Sequence, residues 1–315
     1  MSTQRTLITG ASGFIGACLA RDLIAGGHEV HVVLRKESPR WRLAGLEGEY
    51  AAHEADLRDL PALRRAVEAC RPDVIYHLAA QGTLAGQHDR AAVFASNLAG
   101  TCHLLEALAA HDYLMLVQAG SSSEYGHYPR AMREDDRLQP RTDYAVSKAA
   151  STLLVQAEFH KGRPVTTVRI FSAYGPWEDP GRLMPYLMSC CLSGQRPQVT
   201  DGRQPRDFIH VDDCVALLKR AAACPGARGQ ILHAGTGRRQ TVRGMVGLVL
   251  RLCTGGRLSA DFGSQPSRAD EPAEWVADIR HTTAVTGWRP EISPEEGVLK
   301  TWNWHRAEGA SRNAA

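Results

Sequence analysis

The sequence lacks the features that mark several large classes of protein. No apolar run approaches the length of a membrane-spanning helix, and the first residues do not form the pattern of a signal peptide. The formal net charge of +3 over 315 residues is too small to indicate nucleic-acid binding. We therefore expect a cytoplasmic protein that binds neither a membrane nor a nucleic acid.

Residues with metal-binding spacing are also missing. The eight cysteines are scattered, none forms a C-x-x-C pair, and no Cys/His array has the spacing of a zinc site. Cys18 and Cys102 fall in apolar helix-like patterns and are expected to be small core residues. The sequence thus predicts neither a metal site nor a disulfide.

Strand-like and helix-like segments alternate through the first two thirds of the chain. Residues 5–10 form a short apolar run, residues 14–27 a helical pattern that ends in two glycines, and residues 28–35 a second strand-like run. Later strands are predicted at residues 74–78, 113–118 and 165–170. This alternation predicts an α/β fold, a doubly wound parallel sheet with helices on both faces.

A glycine-rich turn joins the first predicted strand to the first predicted helix. Its glycines permit a tight turn, close approach of the backbone to a pyrophosphate and close helix–strand packing. The helix N-terminus adds free N–H groups and a favourable dipole. The turn therefore predicts a Rossmann-type dinucleotide site formed by six residues: Gly10, Ser12, Gly13, Phe14, Ile15 and Gly16.

The end of the second strand bears on which dinucleotide binds. Leu34 occupies the place of the Asp or Glu that holds the ribose hydroxyls in NAD-preferring sites, and Arg35 and Lys36 follow it. A nearby arginine favours the 2′-phosphate of NADP, so NADP(H) is favoured and NAD(H) stays possible. The competing interpretation is that Arg35 and Lys36 form a solvated loop.

Six further positions are predicted to meet the cofactor: Asp56, Leu57, Leu78, Ala79, Ala80 and Asn97. The first two follow the third strand-like segment, where the carboxylate would accept the adenine amino group. The next three end a strand with small residues that let the backbone approach the cofactor. Asn97 begins a helix-like run and is interpreted as a helix cap, a structural anchor or both.

Tyr144 and Lys148 stand four residues apart and therefore share one face of a helix. A lysine at that spacing can stabilise the tyrosinate and move the phenol's pKa from about 10 toward working pH. Such a pair can protonate or deprotonate an alcohol oxygen while a hydride moves at its carbon. The spacing alone also describes a surface pair, but the glycine turn and an upstream serine cluster favour a catalytic one.

The regular alternation loosens after Tyr174-Gly-Pro176, where segments rich in Pro, Gly and Arg begin. Such segments suit loops over the carboxyl edge of the sheet. We expect a dinucleotide-binding domain over residues 1–170 and a smaller substrate-binding lobe over 171–306 that partly returns to the first domain. Residues 307–315 are expected to form a polar tail.

Six motifs stand in order along the chain: G-x-x-G-x-x-G, D-L, H-x-A-A, a serine before Y-G, Y-x-x-x-K and R-D-F-I-H-V-x-D. Together they resemble the extended short-chain dehydrogenase/reductase family of nucleotide-sugar epimerases, dehydratases and reductases. The likeness runs from Thr9 to Pro290. It implies a Rossmann fold, an NAD(P)-dependent enzyme, a nucleotide-diphosphate-sugar substrate and a homodimer formed through the Tyr/Lys helix.

The resemblance also implies roles for single residues. Tyr144 would be the acid/base, and Lys148 would hold the nicotinamide ribose and lower the pKa of Tyr144. Ser121 would bind and polarise the reacting oxygen of the sugar, with Ser122 and Ser123 as close competitors.

The substrate's phosphates are assigned by the same resemblance. Arg206 and Arg268 resemble the arginines that bind the diphosphate, a use that suits a planar, permanently charged fork. Both arginines alternatively form surface ion pairs. Ser172 stands where many relatives carry Asn near the substrate phosphates, which is a departure from the family pattern.

Three family reactions share this apparatus. The 4,6-dehydratases of dTDP-glucose carry Thr-Asp-Glu where this chain has Ser121-Ser-Ser123, so the acids that drive elimination are missing. Glu124 is one residue out of register with the Glu of GDP-mannose dehydratases, and on a strand that shift would turn it away from the sugar. Dehydration is therefore the second prediction.

The leading prediction is NADPH-dependent reduction of a nucleotide-linked 4-keto-6-deoxy sugar. The serine-rich run before E-Y-G and the Leu34-Arg35 strand end resemble reductases of that kind. A 4-epimerase, which keeps its NAD tightly bound, fits the basic strand end less well. The alternative from another class is a non-catalytic dinucleotide-binding sensor, which would need none of the three catalytic residues.

Overall fold

The computed structural model describes residues 3–82, 89–267 and 272–313, with side chains described up to residue 307. The strands within these ranges, numbered in chain order, are β1 Arg5–Thr9, β2 Glu29–Leu34, β3 Tyr50–Glu54, β4 Val74–His77, β5 Met115–Ser121, β6 Val165–Ile170, β7 Ser172–Tyr174, β8 Gln198–Val199, β9 Pro205–Arg206, β10 Phe208–His210, β11 Ile231–Ala234, β12 Gln240–Thr241 and β13 Asp261–Phe262. The α-helices are α1 Phe14–Ala25, α2 Leu60–Cys70, α3 Arg90–Phe94, α4 Gly100–Leu108, α5 Asp143–His160, α6 Leu183–Ser193, α7 Val211–Ala223, α8 Val242–Thr254, α9 Arg280–Thr286 and α10 Pro294–Asn313.

Seven of the described strands form one parallel sheet in the order β11-β6-β5-β4-β1-β2-β3. The chain starts at β1 near the middle, winds outward to β3, and then returns to β4 on the other side. The order therefore reverses between β1 and β4, and ligands of such sheets bind beyond the carboxyl ends of the strands at that point. The predicted doubly wound parallel sheet is confirmed.

Both faces of the sheet are covered by helices, which is why the strands are apolar on both sides. Leu7, Leu116 and Val165 belong to a buried cluster shared with α2, α4 and α5 on one face. Ile8 and Val117 belong to a second cluster, shared with α1 and α7 on the other face.

The later part of the chain builds a further apolar cluster from α6, α8 and α10. Strand β11 lies outside this cluster and pairs with β6, so part of the chain after residue 171 returns to the large sheet. The predicted domain boundaries themselves stay predictions. Helix α10 runs to Asn313, into the segment 307–315 that the sequence predicts as a polar tail.

A helical run over Arg90–Leu108 passes through α3, a π-helix at Ala95–Ala99, and α4. By length and mean hydropathy (1.2) it is the one described helix that could span a membrane, a property that core helices of globular proteins share. It packs against α2 and α5. Asn97 lies inside this run, so the predicted helix start at Asn97 is wrong. Cys102, on the same run, is exposed, so its predicted core location is wrong too.

Candidate active site

The glycine-rich turn lies at the carboxyl end of β1, against the end of β4. Gly10 has φ +79°, and a Cβ there would lie 2.5 Å from the Ala79 amide nitrogen. A Cβ on Gly16 would lie 2.2 Å from the carbonyl oxygen of Gly10. Leu78 donates its N–H to Thr9 O at 3.0 Å, which fixes the two strand ends together. Only glycines permit this close backbone packing.

The start of α1 fits the anionic pyrophosphate of a dinucleotide. Gly13 occupies the N-cap position and has no side chain with which to cap the helix, and the first turn contains no acidic residue. The first amides of the helix, at Phe14 and Ile15, therefore keep their N–H groups available to an anion. Ser12 lies in the same turn, half-buried.

The end of β2 carries no acid for the ribose hydroxyls. Leu34 is buried, and the exposed Arg35 follows it with its N–H bonded to Ser38 Oγ at 3.1 Å. Asp56 receives bonds from the Arg58 guanidinium at 2.9 and 2.7 Å, and this pairing lowers the pKa of Asp56. The predicted adenine contact of Asp56 and of the adjacent Leu57 stays a prediction.

Asn97 is a structural anchor for the helix that carries the acid/base pair. Its side chain accepts from Gln81 N at 2.7 Å and donates to Gln81 O at 2.8 Å and to Ser147 Oγ at 2.9 Å. Its carbonyl accepts from Ser151 Oγ at 2.7 Å. These bonds fix α5 against the end of β4, where Ala80 is exposed. A direct cofactor contact by Asn97 stays a prediction.

Tyr144 and Lys148 lie one turn apart on α5, whose first turn is capped by Thr142 Oγ1. Lys148 is 3% exposed. Burial lowers the pKa of Lys148 to about 8, and the negative charge of Glu124 opposes this shift. His77 lies close enough that the charge of Lys148 helps burial to lower the pKa of His77 to about 3.

The pKa of Tyr144 is raised above 10, because burial disfavours the phenolate. A hydrogen bond with Ser121 and the positive charge of Arg182 oppose the shift, and Glu124 adds to it. The sequence predicts a pKa of Tyr144 below 10. In the protein without its cofactor the pKa is instead raised, because burial outweighs the favourable interactions. The arrangement keeps Tyr144 protonated, so it is ready to donate to an alkoxide.

The three serines divide into two groups. Ser121 Oγ and Ser123 Oγ lie 2.7 Å apart, and Ser121 also contacts the Tyr144 phenol. Ser122 is turned away from this pair, since its Oγ is buried and accepts from Trp275 Nε1 at 3.1 Å. The predicted substrate contact therefore fits Ser121 and Ser123 better than Ser122.

Glu124 lies in a 3-10 helix at Ser122–Tyr125, so the expectation of an extended strand is wrong here. Its carboxylate is nevertheless occupied: Oε1 accepts from Ser121 N at 2.7 Å, and Oε2 accepts from Arg169 Nε at 2.8 Å. Glu124 and Arg169 are 0% and 1% exposed. A Cβ on Gly120 would lie 2.9 Å from both side chains, so glycine is required where they cross β5.

Asp207, the residue after Arg206, holds the backbone around two of the predicted phosphate residues, Arg206 and Ser172. Asp207 accepts from Thr236 N at 2.6 Å and from Ala277 N at 3.1 Å, which aligns the strand of Arg206. The Arg206 guanidinium lies 5.9 Å from the Trp275 ring. Ser172 donates its N–H to Asp207 O at 3.0 Å.

Arg268 lies outside the described residues. Trp275 was not predicted: it connects Ser122 with Arg206 across the fold, and no motif in the sequence indicates that position.

A doubly wound sheet, a glycine turn shaped for a pyrophosphate and a Ser121–Tyr144–Lys148 constellation define a dinucleotide-dependent enzyme. The family model described as NAD dependent epimerase/dehydratase family matches residues 6–235. The chain belongs to that family, within the extended short-chain dehydrogenases/reductases, and is an NAD(P)-dependent enzyme. The resemblance predicted from the motifs is confirmed.

Similar proteins act on nucleotide sugars. A probable UDP-glucuronate 4-epimerase of Rhizobium meliloti is 31% identical, over 96% of this chain and 97% of the relative. A dTDP-glucose 4,6-dehydratase of Streptomyces griseus is 30% identical, over 96% and 94%. A crystal structure of a dTDP-glucose 4,6-dehydratase double mutant from Streptomyces venezuelae, with NAD bound, superposes with a TM-score of 0.84 at 27% identity, covering 98% of each chain.

Proposed function

We propose that the chain transfers a hydride between a nicotinamide cofactor and C4 of a nucleotide-linked hexose without eliminating water. The observation that supports this most strongly is the state of the acids beside Tyr144. Ser122 and Ser123 occupy the acid positions of the dTDP-glucose dehydratases. Glu124, the carboxylate whose charge acts on Tyr144 among the described residues, is buried in its pair with Arg169. A serine hydroxyl cannot take the C5 proton as a carboxylate does.

The chain's own residues supply the proton chemistry. Tyr144 donates its proton to the oxygen on C4, or accepts one from it, while Ser121 hydrogen-bonds the same oxygen. Lys148 lies one helical turn from Tyr144 on α5, and its pKa is about 8. In the proposed reaction its ammonium stabilises the charge of the tyrosinate. The nicotinamide, when bound, supplies or accepts the hydride.

Reduction of a 4-keto-6-deoxy sugar by NADPH is the first candidate. Its support is the end of β2, where Leu34 leaves no carboxylate and the exposed Arg35 offers a fixed positive charge. Arg206, together with Arg268, would hold the diphosphate of the substrate.

Epimerisation at C4 is the second candidate. Its support is the similarity to a probable UDP-glucuronate 4-epimerase, since that reaction also needs Tyr144 and Ser121 but no additional acid. An epimerase returns the hydride to the same carbon and consumes no cofactor, which separates the two candidates in an assay.

One set of incubations distinguishes the reactions. Purified protein is given dTDP- and UDP-linked 4-keto-6-deoxyglucose with NADPH or NADH, and separately UDP-glucose, UDP-glucuronate and dTDP-glucose with catalytic NAD. Stoichiometric NADPH oxidation indicates the reductase, and a changed C4 configuration without net oxidation indicates the epimerase. A 4-keto-6-deoxy product formed from dTDP-glucose would refute the proposal. Tyr144→Phe is the matched inactive control.

A homodimer formed through α5 is proposed as well. Val146 and Leu153 are seven residues apart on one face of α5 and are 39% and 62% exposed. Burying such an apolar stripe against its copy would remove it from water. Light scattering on the wild type and on Leu153→Glu tests this: the wild type should have the mass of two chains and the variant the mass of one.

A further inference from the structure

One guanidinium joins the glycine turn to the segment that follows β7. Arg42 lies in a 3-10 helix after β2, at Trp41–Leu43, and is 8% exposed. Its Nη1 donates to Ser12 O at 3.2 Å, and its Nε donates to Trp177 O at 2.7 Å. The same guanidinium thus contacts both the glycine turn and the segment after Tyr174, although Arg42 and Trp177 are 135 residues apart in the chain.

The segment held by Arg42 has an unusual backbone. Trp177 has φ +70°, a region that bulky side chains rarely adopt. Arg21 stacks on the Trp177 ring at 4.2 Å, and Asp179 Oδ2 lies 3.8 Å from Arg42 Nη2. The Arg42 guanidinium also stacks on Trp41 at 4.2 Å. This left-handed turn is held from several sides at once.

The segment leads directly to the acid/base site. It continues through Arg182, the residue before α6, whose positive charge acts on the Tyr144 phenol. A chain of contacts therefore runs from Ser12 through Arg42 to Asp179, whose carbonyl accepts from Arg182 N at 2.9 Å. Displacement of the glycine turn would be transmitted to this segment through the two carbonyls that Arg42 binds.

We propose that Arg42 is a positioning residue that couples dinucleotide binding to the placement of Arg182, whose charge acts on Tyr144. The coupling depends on the planar fork of arginine, which donates to Ser12 O and Trp177 O in fixed directions. Lysine would keep the charge but not this geometry. The inference goes beyond the proposed reaction and applies to hydride transfer in either direction.

The test measures binding without turnover, so its failure is distinct from failure of the proposed reaction. NADPH and NADH affinities are measured by fluorescence, and hydrogen exchange of the peptide over residues 175–183 is measured with and without saturating NADPH. The variants are Arg42→Lys, Arg42→Met and the matched control Arg21→Met. Arg21 stacks on the same Trp177 ring and binds the carbonyls of residues 42 and 44.

In the wild type, NADPH should slow exchange of this peptide. Both Arg42 variants should weaken NADPH binding about tenfold, equivalent to about 1.4 kcal/mol, and should remove the NADPH-dependent protection. Arg21→Met should keep the protection. The proposal is overturned if NADPH does not protect the wild-type peptide, if Arg42→Lys behaves as wild type, or if Arg21→Met loses the protection equally. If Arg42→Met does not fold, Arg42→Lys decides the outcome.

Discussion

Removing the charge of Glu124 should destabilise the protein more than removing the charge of an acid that has no buried arginine as its partner. Arg169 is 1% exposed and has its Nε on the Glu124 carboxylate, so Glu124→Gln leaves a buried guanidinium without its counter-charge. The amide of glutamine has one acceptor oxygen, whereas Glu124 accepts from both Arg169 and Ser121 N. Breaking one side of a buried pair costs about 3–5 kcal/mol.

The measurement is urea unfolding of Glu124→Gln, Arg169→Met and the double variant. We expect each single variant to lose about 3–5 kcal/mol of unfolding free energy, and the double variant to lose less than the sum. Glu134→Gln is the matched control, since burial raises the pKa of Glu134 and a neutral isostere should cost little there. Losses below about 1 kcal/mol, or additive losses, would refute the coupling of the pair.

The same variant has a catalytic consequence. The charge of Glu124 raises the pKa values of both Tyr144 and Lys148. In Glu124→Gln both pKa values should therefore be lower, and the limb of the pH–rate profile that reports them should move to lower pH. A folded variant whose limb stays in place or moves to higher pH would show that Glu124 does not act on the acid/base pair.

Three further predictions concern the proton donor, the cofactor and pH. Tyr144→Phe should reduce turnover about 10²–10⁴-fold while NADPH affinity, measured by fluorescence, stays close to wild type. Arg35→Glu should lower the ratio of kcat/KM with NADPH to that with NADH by about tenfold or more, and an unchanged ratio would remove the main support for NADP(H). Burial lowers the pKa values of His77 and His233 to about 3 and of His210 to about 4. As the pH falls below about 6.5, these histidines therefore bind protons in the unfolded chain before they do so in the folded protein. The free energy of unfolding, measured with urea, should decrease by up to about 1.4 kcal/mol per pH unit for each histidine. A free energy of unfolding that stays constant down to about pH 4.5 would contradict this.

Features coded by neighbouring residues could be predicted from the sequence. The strand at Val165–Ile170 was predicted with its observed bounds, because five of its six residues are β-branched Val, Thr or Ile, which favour strands. The role of Gly10 and Gly16 followed from a turn between a strand and a helix, and the Tyr144–Lys148 face followed from the helical period.

Features that depend on contacts distant in the chain could not be predicted. The state of Glu124 depends on Arg169, 45 residues away, and the direction of Ser122 depends on Trp275, 153 residues away. Asn97 matched the local pattern of a helix start. Its hydrogen-bond partners, Gln81 and Ser147 on α5, are distant in the chain, so a local pattern does not reveal them. For the same reason, no local pattern indicated Arg42.

Strand β11 has a consequence for how the protein can be synthesised and divided. It supplies the outermost pairing of the large sheet, along β6, yet it consists of Ile231–Ala234, well beyond the end of the predicted first domain. While the chain is being translated, β6 remains an open edge until residue 234 has left the ribosome, and a fragment of residues 1–170 would keep that edge permanently. Once formed, β11 is the edge itself, but it has four residues where β6 has six, and a shorter edge recruits strands from other molecules less readily. The shortest fragment expected to stay dispersed therefore ends after Ala234, beside residue 235, where the family model also stops.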